Sequence, residues 1–118
     1  MIRLCLTMEK GLCTLQIDGH SGLAPHGQDI VCAGVSALAF AFWEYAQEQA
    51  RQGSVQVLEE KLSPGELRLC CSYRGEGLPA AARMLLLGAG QIAAAYPQNL
   101  QVAEEKGKKP KKAKPAAP

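Results

Sequence analysis

Apolar and polar residues alternate from the start of the chain. Ile2, Leu4, Leu6 and Met8 recur with period two, which predicts a half-buried strand over 2–8. Glu9-Lys10-Gly11 supplies a turn, and Cys13, Leu15 and Ile17 resume the alternation, so the two strands form an antiparallel hairpin. The period then changes. Ile30, Val31, Val35, Leu38, Ala39, Phe42 and Ala46 lie at helical spacings and predict a helix from residue 30 to about 52. Asp29 is its N-cap candidate, because a carboxylate there accepts from first-turn amides, and Gly53 is its stop. Residues 55–61 and 67–73 read as two more strands about a Ser63-Pro64-Gly65 turn. Pro79 suits the first turn of a second helix, which runs to about residue 95 before Pro97 stops it. Gly88 and Gly90 inside that helix each cost about 1 kcal/mol relative to Ala, and they permit close packing against a neighbour. Residues 99–103 make a short last edge strand. The order ββαββαβ predicts an α+β two-layer sandwich, with two helices packed on a mostly antiparallel sheet.

The chain has 118 residues, enough for one domain with a single core. Only 5% of residues are aromatic, so that core is expected to be aliphatic. The formal net charge of +2 hides an asymmetry. Residues 1–105 hold seven basic and eleven acidic side chains, a balance of −4, and the six lysines from Lys106 onward add +6. The expected organisation is a folded domain over 1–105 and a disordered Lys/Pro-rich tail over 106–118, where like charges repel and prolines block helix. An acidic body argues against a general nucleic-acid-binding domain, while the tail is suited to weak ribosome or RNA contact through phosphates. Cys5, Cys13, Cys32, Cys70 and Cys71 are odd in number and contain no C-x-x-C, which fits a reducing, cytoplasmic setting. No run of 18 apolar residues occurs, so no membrane span is expected.

The candidate chemistry lies between residues 19 and 36. Gly19-His20-Ser21-Gly22-Leu23-Ala24-Pro25-His26-Gly27-Gln28 has the glycines and proline of an irregular, mobile loop. Counting from Asp29 as N-cap places Cys32 at the third helical position. The helix dipole favours a thiolate there, and first-turn amides suit an oxyanion. His20 is twelve positions earlier, within reach if the loop folds back, and is a candidate general base. His26 is the alternative base. Cys32 also reads as a small buried hydrophobe, and Asp29 as a cap alone or as a group that orients His20. Ser36 shares the Cys32 face one turn later, as a substrate contact or a packed serine. Zinc held by His20, His26, Cys32 and Asp29 is a weaker reading, because six-residue spacings do not match structural zinc patterns. No phosphate-loop pattern occurs, and no cofactor or metal is expected. Phe40, Phe42, Trp43 and Tyr45 crowd the first helix as core, subunit interface or, where exposed, groove lining.

Gly19-His20, then Gly27, then Asp29-Ile30-Val31-Cys32-Ala33-Gly34 with Ser36-Ala37 resembles the ribosomal-processing cysteine protease family, called Prp. The resemblance implies an α+β fold, a homodimer and a bacterial endopeptidase. Its substrate class is the N-terminal extension of the large-subunit ribosomal protein L-twenty-seven, removed in support of ribosome assembly. Carried over by position, Cys32 is the nucleophile and His20 the general base, with Asp29, Ser36, Gly19, Ser21 and Gly22 as supporting positions. The loop between His20 and Cys32 is expected to order when substrate binds. The competing readings are a non-catalytic ribosome-associated module that uses the basic tail, and a thiol-transfer protein, for which no resolving cysteine lies near Cys32 in sequence.

Overall fold

A computed structural model describes residues 1–106. Five strands and two helices follow in the order β1 (Ile2–Glu9), β2 (Leu12–Gly19), α1 (Ile30–Arg51), β3 (Val55–Ser63), β4 (Glu66–Tyr73), α2 (Gly77–Ala95) and β5 (Leu100–Lys106). This is the expected ββαββαβ sandwich. The sheet order is β3-β4-β2-β1-β5, antiparallel except for the β1–β5 pair.

Period-two alternation sorts the strands into two faces. Ile2, Leu4, Leu6, Cys13, Leu15, Ile17, Leu67, Leu69 and Cys71 are buried in the core. Val31, Val35, Ala39, Phe42 and Ala46 of α1 meet them, as do Leu78, Ala82, Leu85, Leu86 and Ala89 of α2. Phe42 is the one aromatic side chain among these buried residues, as the composition led us to expect. The other sheet face carries Arg3, Cys5, Thr14, Gln16, Arg68 and Cys70, knit by hydrogen bonds from Arg68 Nη1 to Gln16 (3.0 Å) and from Gln16 to Asp18 (2.9 Å). By length and composition α1 and α2 could each cross a bilayer, yet here each lays a buried stripe on the sheet.

The helices approach closely where glycines face long side chains. A Cβ on Gly88 would lie 3.0 Å from both Leu38 methyls, and one on Gly34 would lie 3.0 Å from Ile92 Cδ1. Gly90 differs from the expectation of close packing, for a Cβ there would meet nothing within 4 Å. Two further details depart from the sequence reading. A bulge between Val57 and Glu59 turns Leu58 outward, 52% exposed. β5 begins at Leu100 and runs on to Lys106, because the parallel ladder continues through Leu6↔Glu104, Thr7↔Glu105 and Met8↔Lys106. The sequence pattern ends the strand at Ala103 and places Lys106 in the tail, and strand pairing carries the ladder past both. The rest of the expected tail lies outside the described residues.

Candidate active site

His20 follows the last residue of β2, and Cys32 is the third residue of α1. Asp29 caps the helix as expected. Its φ and ψ are extended, and Oδ1 accepts from the Cys32 amide at 2.9 Å. The same carboxylate does a second job that the sequence did not show. Oδ2 accepts from the Ser21 hydroxyl and from the amides of Leu23 (3.1 Å) and Ala24 (3.4 Å). Asp29 thereby ties the first half of the loop to the helix start. The Ser21 hydroxyl, then the Cys32 amide, hold its carboxyl down at about 2, against an ordinary value of 3.8.

Ser21 is buried at 3% exposure, and its carbonyl accepts from Asn99 Nδ2 at 2.9 Å. Asn99 lies in the α2–β5 connection, where its own carbonyl takes the Ile2 amide at 2.9 Å. Nothing local in the sequence pointed to Asn99, because its partner is 78 residues away. Gly19 has φ +96°, and a Cβ there would run into the Met1 carbonyl, so only glycine lets β2 pass so close to the chain start. Gly22 is also in the left-handed region, at φ +74°.

Two adjoining cavities form one cleft. The larger, about 670 Å³, is lined by the loop and the first turn of α1, including His20, His26, Asp29, Cys32 and Ser36. The second, about 330 Å³, shares His20, His26, Cys32 and Ser36 and adds an apolar wall of Ile17, Phe40, Leu62, Pro64 and Leu67. Phe40, 45% exposed, is thus the groove-lining aromatic of α1, while Phe42 belongs to the core. The structure brings His20, His26, Cys32 and Ser36 to one cleft. Among the described residues, no hydrogen bond joins His20 to Cys32 or to Asp29, whose acceptors are taken up by Ser21, Leu23, Ala24 and Cys32. Nor does any group of three metal-ligating side chains converge among the described residues.

First-turn amides are divided more finely than the sequence implied. The Cys32 amide goes to Asp29 Oδ1, and the Ala33 amide to the Asp29 carbonyl at 3.0 Å. The Ile30 and Val31 amides are the remaining donors of that turn.

The other four cysteines do not reach the cleft. Cys13 and Cys71 oppose one another across β2 and β4 in the core. Burial, reinforced by neighbouring thiols, pushes Cys13 up to about 12 and Cys71 up to about 11. Cys5 and Cys70 sit on the open sheet face, where Thr14 Oγ1 donates to Cys70 Sγ at 3.3 Å.

The sequence profile of the cysteine protease Prp family matches residues 1–101. The ribosomal processing cysteine protease Prp of Bacillus subtilis is 50% identical over 32 residues, a stretch covering 27% of this chain and 29% of that protein. The matched stretch thus spans less than a third of this curated relative. In fold, the chain is similar to a crystal structure of the essential ribosomal processing protease Prp from S. aureus with a covalently linked product peptide. That likeness has a TM-score of 0.69 and 20% identity, and covers 89% of this chain and 100% of the other. A Streptococcus mutans protein gives a TM-score of 0.66 at 24% identity, over 90% and 95% of the two chains. With the family profile covering residues 1–101, from β1 to the start of β5, the chain belongs to the cysteine protease Prp family.

Proposed function

We propose that this protein is a cysteine endopeptidase in which Cys32 is the nucleophile and His20 the general base. Its substrate would be a ribosomal protein precursor, L-twenty-seven with an N-terminal extension, in support of ribosome assembly. The observation that carries this reading is the meeting of Cys32, at the start of α1, with His20, at the end of β2, on one open cleft of a Prp-family fold.

The chemistry follows from the residues. His20 takes the Cys32 thiol proton, and the sulfur attacks the scissile carbonyl. The oxyanion is stabilised at the helix start, where the Ile30 and Val31 amides are the uncommitted donors. His20 then gives its proton to the leaving amine, and the new N-terminus departs. Water, deprotonated by His20, hydrolyses the thioester and restores the thiol. The missing His20–Cys32 hydrogen bond suits an enzyme whose dyad closes on substrate, since such contacts tighten in the Michaelis complex. The Ile17, Phe40, Leu62, Pro64 and Leu67 wall suits an apolar substrate side chain beside the scissile bond.

Asp29 serves this mechanism as an organiser of the loop and helix start, and Ser36, exposed on the cleft, as a substrate contact. Gly19, Ser21 and Gly22 shape the backbone around His20. The apolar groove of Leu38, Tyr45, Ala81 and Met84 between the helices supports the homodimer, and five free cysteines support a cytoplasmic setting. Contact of the Lys-rich tail with the ribosome rests on its charge.

The test is cleavage of the extended ribosomal protein from the same organism, read by mass. One cut near the N-terminus is expected. Cys32→Ser and His20→Ala should each lower its rate at least about a thousandfold while the fold survives. A wild-type protein that makes no cut, or a Cys32→Ser protein that still cuts, overturns the proposal.

A further inference from the structure

The β3–β4 turn lies directly against the start of the active-site loop. The Gly19 amide donates to the Gly65 carbonyl at 2.8 Å, which ties the turn to the backbone beside His20. The exposed His20 side chain lies against the turn as well. A Cβ built on Gly65 would stand 2.9 Å from His20 Nε2, 3.3 Å from Cε1 and 3.6 Å from Cδ2. The imidazole therefore occupies the space that any side chain at position 65 would need.

We propose that Gly65 is a positioning residue for His20: the missing side chain in the β3–β4 turn is the seat that sets the pose of the imidazole in the Cys32 cleft. The proposal rests on the reading of His20 as the general base. Gly65 also has φ +78°, so a substitution strains the turn whatever the space, and the two effects must be separated. The fold supplies its own control. Gly75, between β4 and α2, has φ +80°, and a Cβ there would meet nothing within 4 Å. Alanine at either glycine carries the same backbone strain, but only at 65 does it press on the ring.

Ordinary contact begins near 3.4 Å, so the ring must retreat by at least about 0.5 Å from an alanine at 65. Displacements of this order in a proton-transfer group cost on the order of ten- to a hundredfold in rate. The experiment compares Gly65→Ala, Gly75→Ala and His20→Ala in the peptide-cleavage assay, with thermal melts and the His20 ring resonances followed by NMR. Gly65→Ala is expected to lower kcat about tenfold or more with KM within about twofold, and to shift the His20 resonances. Gly75→Ala should melt lower to a similar degree, yet keep wild-type kcat and His20 resonances. Gly65→Asn, better tolerated at positive φ but still bearing a Cβ, should repeat the kcat loss if the alanine variant does not fold. Equal kcat in the Gly65 and Gly75 variants, or unmoved His20 resonances at 65, overturns the seat while leaving the base reading intact. Full cleavage by His20→Ala overturns the base reading, and the proposal with it.

Discussion

Asn99→Ala tests whether the loop that carries His20 is held from the far end of the chain. The side chain gives one hydrogen bond, Nδ2 to the Ser21 carbonyl at 2.9 Å, while the Asn99 backbone keeps its own bonds to Ile2 and Tyr96. Truncation therefore removes one donor and little else. A typical bond contributes about 1 kcal/mol net, and stranding a buried acceptor costs about 1–3 kcal/mol. Ser21 is 3% exposed but Asn99 is only half-buried, so water can reach the stranded carbonyl and the lower part of that range, about 1–2 kcal/mol, applies. For a domain of this size each kcal/mol is roughly 4–8 °C in Tm, and we expect a fall of about 5–15 °C. The location of the loss is the sharper readout. The Leu23 and Ala24 amides donate to Asp29 within the segment that Asn99 anchors, so their hydrogen exchange should speed up by more than that of the β1–β2 ladder. Asn99→Asp sharpens the comparison. Its shape is conserved, but it sets an acceptor against an acceptor, so it should lose more than alanine at neutral pH. A ranking in which Asp is milder than Ala, with Leu23 and Ala24 protected as in wild type, would falsify the tether and make Asn99 a packing residue.

Two further outcomes follow from the geometry. Asp29 has a folded pKa of about 2, below its ordinary 3.8, so its stabilising effect is complete above about pH 4 and fades as pH falls through 2. In urea melts the stability gap between wild type and Asp29→Ala should be level above pH 5 and narrow toward pH 2. A gap that stays constant over that range counts against the Ser21 and Cys32 bonds. Gly90→Ala adds a methyl that meets nothing within 4 Å in the interior of α2, and should stabilise by about 0.5–1 kcal/mol. Gly88→Ala should gain less, because its methyl lies 3.0 Å from Leu38, and thermal melts of the pair decide the order.

Much of this was legible because it is local. Alternation in β1 and β2, helical spacing in α1, and Asp29 ahead of Ile30 are short-range signals, and each appears in the structure where the pattern placed it. The single loop joining His20 to Cys32 made a shared cleft conceivable from the sequence, while whether the two side chains reach one another was not legible there. What escaped is set by pairing across long separations. The sheet order β3-β4-β2-β1-β5 depends on β2 choosing β4, and on β5 joining β1 in parallel. Neither choice leaves a periodic trace. Glu104 and Glu105 read as lying beyond the last strand and Lys106 as the start of the tail, yet all three extend β5 because Leu6, Thr7 and Met8 offer an unfilled edge. Asn99 and Gly65 look like ordinary residues of connections, and only their distances to Ser21 and His20 give them roles.

These contacts also change the picture of the loop itself. Its glycines and proline suggested one mobile unit from residue 19 to 28. The structure divides it. Residues 19–24 are held by the Gly65 carbonyl, by Asp29 and by Asn99, which keeps the backbone around His20 in place before any substrate arrives. The stretch from Pro25 to Gln28 is joined by a single turn bond, Gln28 amide to Pro25 carbonyl at 2.9 Å, and His26 within it lines both cavities. If substrate orders the loop, as the family resemblance implies, it has only the shorter, exposed stretch to arrange, at a smaller entropy cost than ordering the whole loop. On the proposed reading of His20 as the base, these anchors fix the backbone that carries it, and the peptide completes the cleft wall and closes the dyad. On that reading specificity would come from the fit that closes the wall, and the anchors beneath it would support the catalytic geometry.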